Sequence, residues 1–208
     1  MAPLIVVDYN AGNLTSVMNA FWHLGIPAES SRDPSLIAKA ERLVFPGVGA
    51  AASAMETLKR TGIGDAIVQV VKAKRPVLGI CIGCQIVLES SEENGGVKTL
   101  GLISGRAVRF SDEPGIKIPH MGWNQVVFLK KHPIFDGIPS GSDFYFVHSF
   151  HPGFVPVENS FTETTYGTQK FVSAVGKENL MATQFHLEKS GEIGLQVLRN
   201  FSKWDGQC

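Results

Sequence analysis

Short apolar strands alternate with amphipathic helices across the first 93 residues. Residues 4–7 form an apolar run that predicts a buried strand, and apolar residues at three- to four-residue spacing predict a helix over residues 13–24. Further strand-like runs occur in RLVFPG and PVLGI, and further helix-like runs in AASAMETLKR, DAIVQVVKAK and CQIVLESSEE. Because helices that join parallel strands cover both faces of a sheet, this alternation predicts a doubly wound, mainly parallel α/β fold.

The second half of the chain has a different pattern. Five strand-like runs are separated by glycine, proline and polar turns, namely LISGRAVRF, WNQVVFLK, DFYFVHSF, FVSAVG and LMATQFH. They predict an antiparallel β excursion that returns to the main sheet. Ser190 is placed to cap a final helix. No repeat, low-complexity tract or linker interrupts residues 1–208, which predicts a single domain.

Composition excludes several classes of protein. The chain has 19 basic and 19 acidic residues, so no excess charge points to nucleic acid or an anionic membrane. No apolar run approaches the roughly 20 residues that span a bilayer. The start, MAPLIVVDYN, lacks a basic segment and predicts a first strand, not a signal peptide. Three cysteines cannot build a disulfide framework, which favours a reducing, cytoplasmic location.

The stretch GICIGCQ, residues 79–85, raises the central question about function. Cys81 lies where an apolar strand meets a predicted helix, and glycines at positions 79 and 83 permit a sharp turn between them. Such a turn presents a nucleophile, as in the G-x-S-x-G elbow. The free N–H groups at the helix start would favour the thiolate. A buried structural cysteine in a tight turn remains the alternative.

Two other interpretations use Cys81 and Cys84 together. A thioredoxin-like C-x-x-C belongs near the start of its domain, whereas two strand–helix units precede this one. A zinc site would add His148 and His151, but residues three apart on a strand face opposite sides. Both interpretations are weaker than the single nucleophile, and we expect neither a metal nor a cofactor.

A nucleophilic cysteine needs a base, and the base needs an orienting group. His186 and Glu188 lie two residues apart at the end of a strand-like run, and strand alternation would put them on one face. Open α/β sheets carry their sites at the carboxyl ends of strands, which favours His186 over the five other histidines. The sequence therefore predicts a Cys81–His186–Glu188 triad.

Acyl transfer also needs donors that stabilise an oxyanion. The segment FPGVGA ends a predicted strand and exposes the amides of Gly47, Val48 and Gly49. The same letters match a dinucleotide-binding G-x-G-x-x-A. That match is weak, because it follows a middle strand and no acidic residue closes a strand about 20 positions later. We interpret this segment as an oxyanion loop.

Several motifs occur in the order found in one family. P-G-V-G, G-x-C-x-G-x-Q, H-M-G-W-N, Y-F-V-H-S and Q-F-H-x-E-K-S make the chain resemble the class I, or triad, glutamine amidotransferases. The combination with PHMGWN and FYFVHSF is similar to the glutaminase subunits of imidazole glycerol phosphate synthase from histidine biosynthesis. The resemblance spans nearly the whole chain, from VDYNAGN to LRNF.

The resemblance implies the chemistry and the site. Cys81 would attack the glutamine carboxamide to give a thioester and ammonia, His186 would transfer protons and Glu188 would orient His186. The loop at Gly47–Gly49 would supply the oxyanion donor, after a rearrangement triggered by ligand binding to the partner. By matched position, the substrate would be held by Gln85, Glu93 and the backbone of His148, Ser149 and Phe150.

The resemblance also implies a partner. Ammonia is almost wholly protonated in neutral water, so it must reach its acceptor through a sheltered route, and this chain has no second domain to use it. The family's synthase is a separate (β/α)8-barrel cyclase, which implies a heterodimer. The residues expected near that interface are Asn13, in the segment YNAGN, His120, Trp123, Asn124 and Lys189. For Trp123 a core position, and for Lys189 a solvated charge, remain the alternatives.

Two positions depart from the family pattern. Leu187 stands where proline normally separates the catalytic histidine and glutamate, and Cys84 stands where methionine is usual. Neither change removes a functional group, so we expect activity to survive, although Cys84 creates a pair that oxidation could join. Two other functions stay open: the same glutaminase serving another synthase, such as one that amidinates a surface sugar, and a non-catalytic binding subunit. Retention of all three triad residues argues against the latter.

Overall fold

The computed structural model describes residues 4–10 and 12–207. The third cysteine, Cys208, and Ala11 of the YNAGN segment lie outside the described residues, as do residues 1–3 of the predicted first strand. In the first half the elements are β1 (Leu4–Val7), α1 (Leu14–His23), β2 (Ala28–Ser31), α2 (Pro34–Ile37), β3 (Arg42–Gly47), α3 (Ala51–Thr61), α4 (Ile63–Lys72), β4 (Val77–Cys81) and α5 (Ile82–Ile86).

The second half is mostly strand. Its elements are β5 (Ser90–Ser91), β6 (Val97–Lys98), β7 (Arg106–Arg109), β8 (His120–Phe128), β9 (Ser142–His148), β10 (Phe150–Gly153), β11 (Ser160–Tyr166), β12 (Gln169–Lys177), β13 (Leu180–Thr183) and α6 (Gly191–Lys203). Among the helices of the described residues, none is long and apolar enough to cross a membrane.

One nine-stranded sheet organises the fold, in the order β2-β1-β3-β4-β13-β12-β11-β8-β9. The pairs from β2 to β13 are parallel and those from β13 to β9 are antiparallel. A smaller sheet has the order β10-β7-β5-β6. The predicted doubly wound sheet with an antiparallel excursion is confirmed.

Helices pack on both faces of the large sheet and enclose two cores. Phe21 of α1 and Phe201 of α6 belong to one core, while Leu58 of α3 and Ile67 of α4 belong to the other. Alternate residues of β1 point into the two cores, which is why its residues are all apolar and buried. Residues 4–7 are therefore all apolar because helices cover both faces of the sheet at this strand.

The helix predicted for CQIVLESSEE is wrong beyond residue 86. Helix α5 ends at Ile86, and β5 begins at Ser90. The carbonyl groups that a longer helix would use accept N–H groups from residues 99–102 instead: Leu100 donates to Ile86, Leu102 to Val87 and Gly101 to Leu88. Tertiary hydrogen bonds thus replace the local helical ones.

The far edge of the antiparallel half returns to the end of the parallel half. Tyr145 of β9 pairs with His186, just after β13, and the His186 N–H donates to the Tyr145 carbonyl at 2.9 Å. Ser190 precedes α6 as predicted, but its side chain does not cap the helix. Its hydroxyl donates to the His186 carbonyl at 2.6 Å and accepts the Tyr145 N–H at 2.9 Å. Ser190 therefore ties β9 to the His186 segment.

Candidate active site

Cys81 lies on a sharp turn between β4 and α5. Its backbone has φ 56° and ψ −103°, a conformation that side chains rarely adopt and that is often found at functional sites. A Cβ atom at Gly83 would lie 2.6 Å from the Phe45 carbonyl oxygen, and one at Gly79 would lie 3.0 Å from the Gly83 backbone. The predicted elbow, with a glycine two residues to each side, is confirmed as local geometry.

His186 and Glu188 meet directly. His186 Nδ1 donates to Glu188 Oε1 at 2.8 Å, and both side chains are fully buried. The prediction that both residues lie on one face of a strand is wrong, however. Strand β13 ends at Thr183, and Glu188 lies in a 3-10 turn at Leu187–Lys189. The turn brings the two side chains together, where strand alternation was expected to do so. Leu187, at the departure from the family pattern, is itself buried in the core.

Charge couples His186 both to Cys81 and to Glu188. Burial alone would lower the pKa of His186, but the charge of Cys81 and the bond to Glu188 raise it to about 10. Burial would raise the pKa of Glu188, but His186 and Asn13 hold it below its usual value. Within the described chain, His186 Nε2 is buried without a hydrogen-bond partner. The arrangement favours an imidazolium at His186 beside Cys81, with one ring nitrogen free to exchange a proton.

Asn13 completes the surroundings of Glu188. Its Nδ2 donates to Glu188 Oε1 at 2.6 Å and lies 3.3 Å from His186 Nδ1. Asn13 has a left-handed backbone, φ 65°, which asparagine tolerates better than most residues. The sequence placed Asn13 near a partner and gave no signal for its contact with Glu188.

A cavity of about 340 Å³ opens beside Cys81, within the size range of small-molecule sites. All five residues predicted to bind substrate line it, together with two residues of the predicted oxyanion loop. Its lining comprises Val48, Gly49, Cys81, Ile82, Gln85, Glu93, Pro119, Val147, His148, Ser149 and Phe150. Of these, Ile82, Pro119 and Val147 were not predicted.

Two of the predicted substrate-binding side chains are held by the protein itself. Gln85 Nε2 donates to the Phe150 carbonyl at 2.9 Å and to Gln184 Oε1 at 3.2 Å. Glu93 Oε2 accepts the N–H of Ala51 at 2.6 Å, at the start of α3. These bonds fix the cavity wall.

The segment predicted to be an oxyanion loop begins beside Cys81. Gly47 is the register partner of Cys81 across β3 and β4. A Cβ atom at Gly47 would overlap the Tyr9 hydroxyl, and Gly49 has φ +99°, so both positions need glycine. The position of this loop at the cavity favours the oxyanion interpretation over a dinucleotide-binding turn.

The five residues predicted near a partner divide into two groups. Trp123 is 57% exposed and Lys189 is also exposed, whereas His120 is buried and both Asn13 and Asn124 are half-buried. Trp123 and Lys189 share a surface through Tyr145, whose ring centre lies 6.1 Å from that of Trp123 and 5.7 Å from Lys189 Nζ. The core alternative for Trp123 is therefore wrong. The sequence did not single out Tyr145.

The second cysteine differs sharply from the first. Cys84 is fully buried, its Sγ donates to the Ala182 carbonyl at 3.5 Å, and burial raises the pKa of its thiol. It packs as a small apolar residue, which disfavours the redox interpretation. His148 uses one ring nitrogen toward the Phe150 carbonyl and the other toward His120, so neither is free for the zinc site that was considered.

Comparisons with known proteins agree with this geometry. The family model described as "Glutamine amidotransferase class-I" matches residues 5–204. The chain is 46% identical to "Imidazole glycerol phosphate synthase subunit HisH" of Acinetobacter baylyi over 99% of this chain and 100% of that protein. The subunit of the same name from Chromobacterium violaceum is 44% identical over 97% of each chain.

Solved structures share the fold at low sequence identity. The structure of PurLQS from Thermotoga maritima matches with a TM-score of 0.71 and 18% identity, over 98% of this chain and 99% of that one. At this identity the likeness concerns the fold alone.

Proposed function

The chain belongs to the class-I glutamine amidotransferase family, and on that premise we propose that Cys81, His186 and Glu188 are its catalytic triad. It is an enzyme, the glutaminase subunit of imidazole glycerol phosphate synthase in histidine biosynthesis. The observation that carries the triad is the buried His186–Glu188 pair, coupled to Cys81 at the wall of a cavity.

The reaction splits into two acyl transfers. The Cys81 thiolate attacks the carboxamide carbon of glutamine, and the C–N bond breaks as His186 gives its proton to the leaving nitrogen, which departs as ammonia. Water then attacks the thioester while His186 accepts a proton, and glutamate leaves. Glu188 keeps the imidazole oriented and stabilises its positive charge, as the carboxylate of other triads does.

The cavity supports recognition of a free amino acid. The Glu93 carboxylate offers a partner for the α-ammonium group, and Ser149 and Phe150 line the same cavity. Val48 and Gly49 border the cavity next to Cys81, where a tetrahedral intermediate would carry its negative charge. We therefore propose that Gln85, Glu93 and residues 148–150 bind glutamine and that residues 47–49 stabilise the oxyanion; the shared cavity lining supports these roles.

The proposed partner is a (β/α)8-barrel cyclase subunit. It would combine the ammonia with a phosphoribosyl-linked imidazole precursor and release imidazole glycerol phosphate and an aminoimidazole carboxamide ribonucleotide. We place its docking surface at Trp123, Tyr145 and Lys189, beside the 3-10 turn at Leu187–Lys189, which we call the triad turn. Asn13, His120 and Asn124 would support that surface. A reducing cytoplasm would keep the Cys81 thiol active.

The test is glutamine hydrolysis by the purified chain, alone and with a histidine-pathway cyclase barrel and its nucleotide ligand. We expect large stimulation that Cys81→Ala abolishes. Cys84→Ala is the matched control, because Cys84 packs away from the cavity, and it should remain active. Slow, unstimulated hydrolysis that depends on Cys81 would retain the glutaminase and assign it to another synthase. Unchanged ammonia release in Cys81→Ala would overturn the triad.

A further inference from the structure

Three polar side chains connect strand β8 to the cavity wall. Asn124 Nδ2 lies 3.2 Å from His120 Nε2, His120 Nδ1 lies 3.0 Å from His148 Nε2, and His148 Nδ1 lies 2.8 Å from the Phe150 carbonyl. Both histidines are at least 95% buried. We call these three residues the relay.

The chemistry of the Phe150 carbonyl fixes the direction of every bond. A carbonyl oxygen only accepts, so His148 Nδ1 must carry the hydrogen. Burial lowers the pKa of His120 to about 4 and that of His148 well below its ordinary value, so both rings are neutral at pH 7. His148 Nε2 therefore accepts from His120 Nδ1, and His120 Nε2 accepts from the Asn124 amide.

Packing holds the middle of the relay. The His120 ring stacks between Phe146 and Tyr166, with ring centres 4.8 Å and 4.0 Å away. The ring cannot turn over without leaving these stacks, and turning it over would also break both of its hydrogen bonds. His120 thus has one orientation in which packing and hydrogen bonding agree.

The two ends of the relay lie in different surroundings. At the inner end the Phe150 carbonyl also accepts from Gln85, and Ser149 and Phe150 line the cavity. At the outer end Asn124 is half-buried and directly follows the exposed Trp123 on β8. Asn124 and His120 both lie on β8, so a displacement of this strand would reach the cavity wall through the hydrogen bond from His120 to His148 and that from His148 to the Phe150 carbonyl.

We propose that the relay of Asn124, His120 and His148 is a positioning device that holds the cavity wall at Ser149 and Phe150 in the geometry that binds glutamine. The proposal rests on the proposed function, because it takes glutamine as the ligand. His120 and Asn124 act through His148 and need not touch the substrate. His120 and Asn124 would therefore help to bind glutamine, in addition to supporting the docking surface for the partner.

The first measurement is the tautomer of each ring, from nitrogen chemical shifts and nitrogen–hydrogen couplings of labelled full-length protein at pH 7. We expect both His120 and His148 to carry hydrogen on Nδ1. Hydrogen on Nε2 of either ring would overturn the relay. This measurement does not depend on activity, so its result is separate from the success of the proposed function.

The second measurement is glutamine affinity by calorimetry in a Cys81→Ala background, where no turnover occurs. His120→Phe keeps an aromatic ring between Phe146 and Tyr166 but removes both nitrogens, and we expect about tenfold weaker binding, the size of one lost hydrogen bond. Tyr166→Phe is the matched control. It removes only a hydroxyl that bonds the Lys117 carbonyl, and it should bind glutamine normally.

His120→Gln supplies a second variant that can donate and accept, and we expect it to recover most of the lost affinity. Normal glutamine affinity in His120→Phe, or equal losses in His120→Phe and Tyr166→Phe, would overturn the positioning role. Absence of glutamine binding in Cys81→Ala with an intact relay would overturn the proposed function instead.

Discussion

His186 Nδ1 donates a 2.8 Å hydrogen bond to Glu188 Oε1, and water reaches neither side chain. Glu188→Gln would keep an oxygen at this position but remove the charge that stabilises the imidazolium. We expect kcat for glutamine hydrolysis to fall by about 10²–10⁴-fold, as for other triad carboxylates. Glu192→Gln, an exposed change on α6, is the control. Activity of Glu188→Gln within threefold of wild type would contradict a triad role.

A second prediction follows from the raised pKa of His186. Since this pKa is about 10, His186 should stay protonated as the pH rises through 6.5, the ordinary histidine value, and lose its proton only near pH 10. Cys81→Ala removes the charge that contributes most to this increase, so the pKa of His186 should fall. Carbon and nitrogen shifts of the ring, followed from pH 5 to 11, measure both values. An unchanged titration in Cys81→Ala would show that the two residues are not coupled.

The sequence predicted β1, β3 and β4 of the parallel half because they are apolar runs, but not the edge strand β2, whose sequence is AESS. It missed β11, whose sequence SFTETTY has few apolar residues although most of the strand is buried. Thr162 and Thr164 are satisfied there by the Ser173 hydroxyl of β12, at 2.8 Å and 2.9 Å. Hydrophobic periodicity cannot detect a buried strand whose side chains are paired by hydrogen bonds.

Part of the functional site could likewise be predicted from the sequence, and part could not. Cys81, His186 and Glu188 lie in short motifs, so the sequence alone was enough to propose them as a triad. The contacts of Asn13 with Glu188, and of Ser190 with Tyr145, join residues 175 and 45 positions apart. They exist because α1 begins beside the triad turn and β9 returns to His186. No local pattern carries that information.

The Asn13 amide should contribute to catalysis through Glu188. Asn13→Gly removes the 2.6 Å hydrogen bond while retaining a residue that tolerates φ 65°. We expect kcat to fall by about tenfold, with thermal stability changed little, and the pKa of Glu188 to rise from its lowered value. The assay uses the chain without its partner, so that a role of Asn13 in docking does not contribute. Full activity of Asn13→Gly would contradict this role.

Ser190 should matter to the triad although it is not catalytic. Ser190→Ala removes one hydroxyl that serves both the His186 carbonyl and the Tyr145 N–H. Unpaired backbone groups should lower the free energy of unfolding by about 1–3 kcal/mol. Ser202→Ala, which removes a hydroxyl on α6, the helix that follows Ser190, should change it by less than about 0.5 kcal/mol. Denaturant titration of the two variants measures the difference, and equal stabilities would contradict the argument.

Gly194 is the position on α6 where the helix touches the triad turn. A Cβ atom there would overlap the Leu187 carbonyl oxygen, and Leu187 begins the turn that carries Glu188. Alanine in place of glycine usually stabilises a helix interior by about 1 kcal/mol. Here the overlap should reverse the sign, and we expect Gly194→Ala to unfold more easily by about 1–3 kcal/mol.

The same substitution should also slow catalysis, because α6 and the turn must separate to make room and Glu188 moves with the turn. Glu192→Ala, an exposed change two residues away in the first turn of α6, should leave kcat unchanged and lower stability by no more than about 1 kcal/mol. Thermal unfolding and kcat measured on both variants decide the matter. A Gly194→Ala protein that is more stable than wild type and fully active would mean that the turn position is not set by this contact.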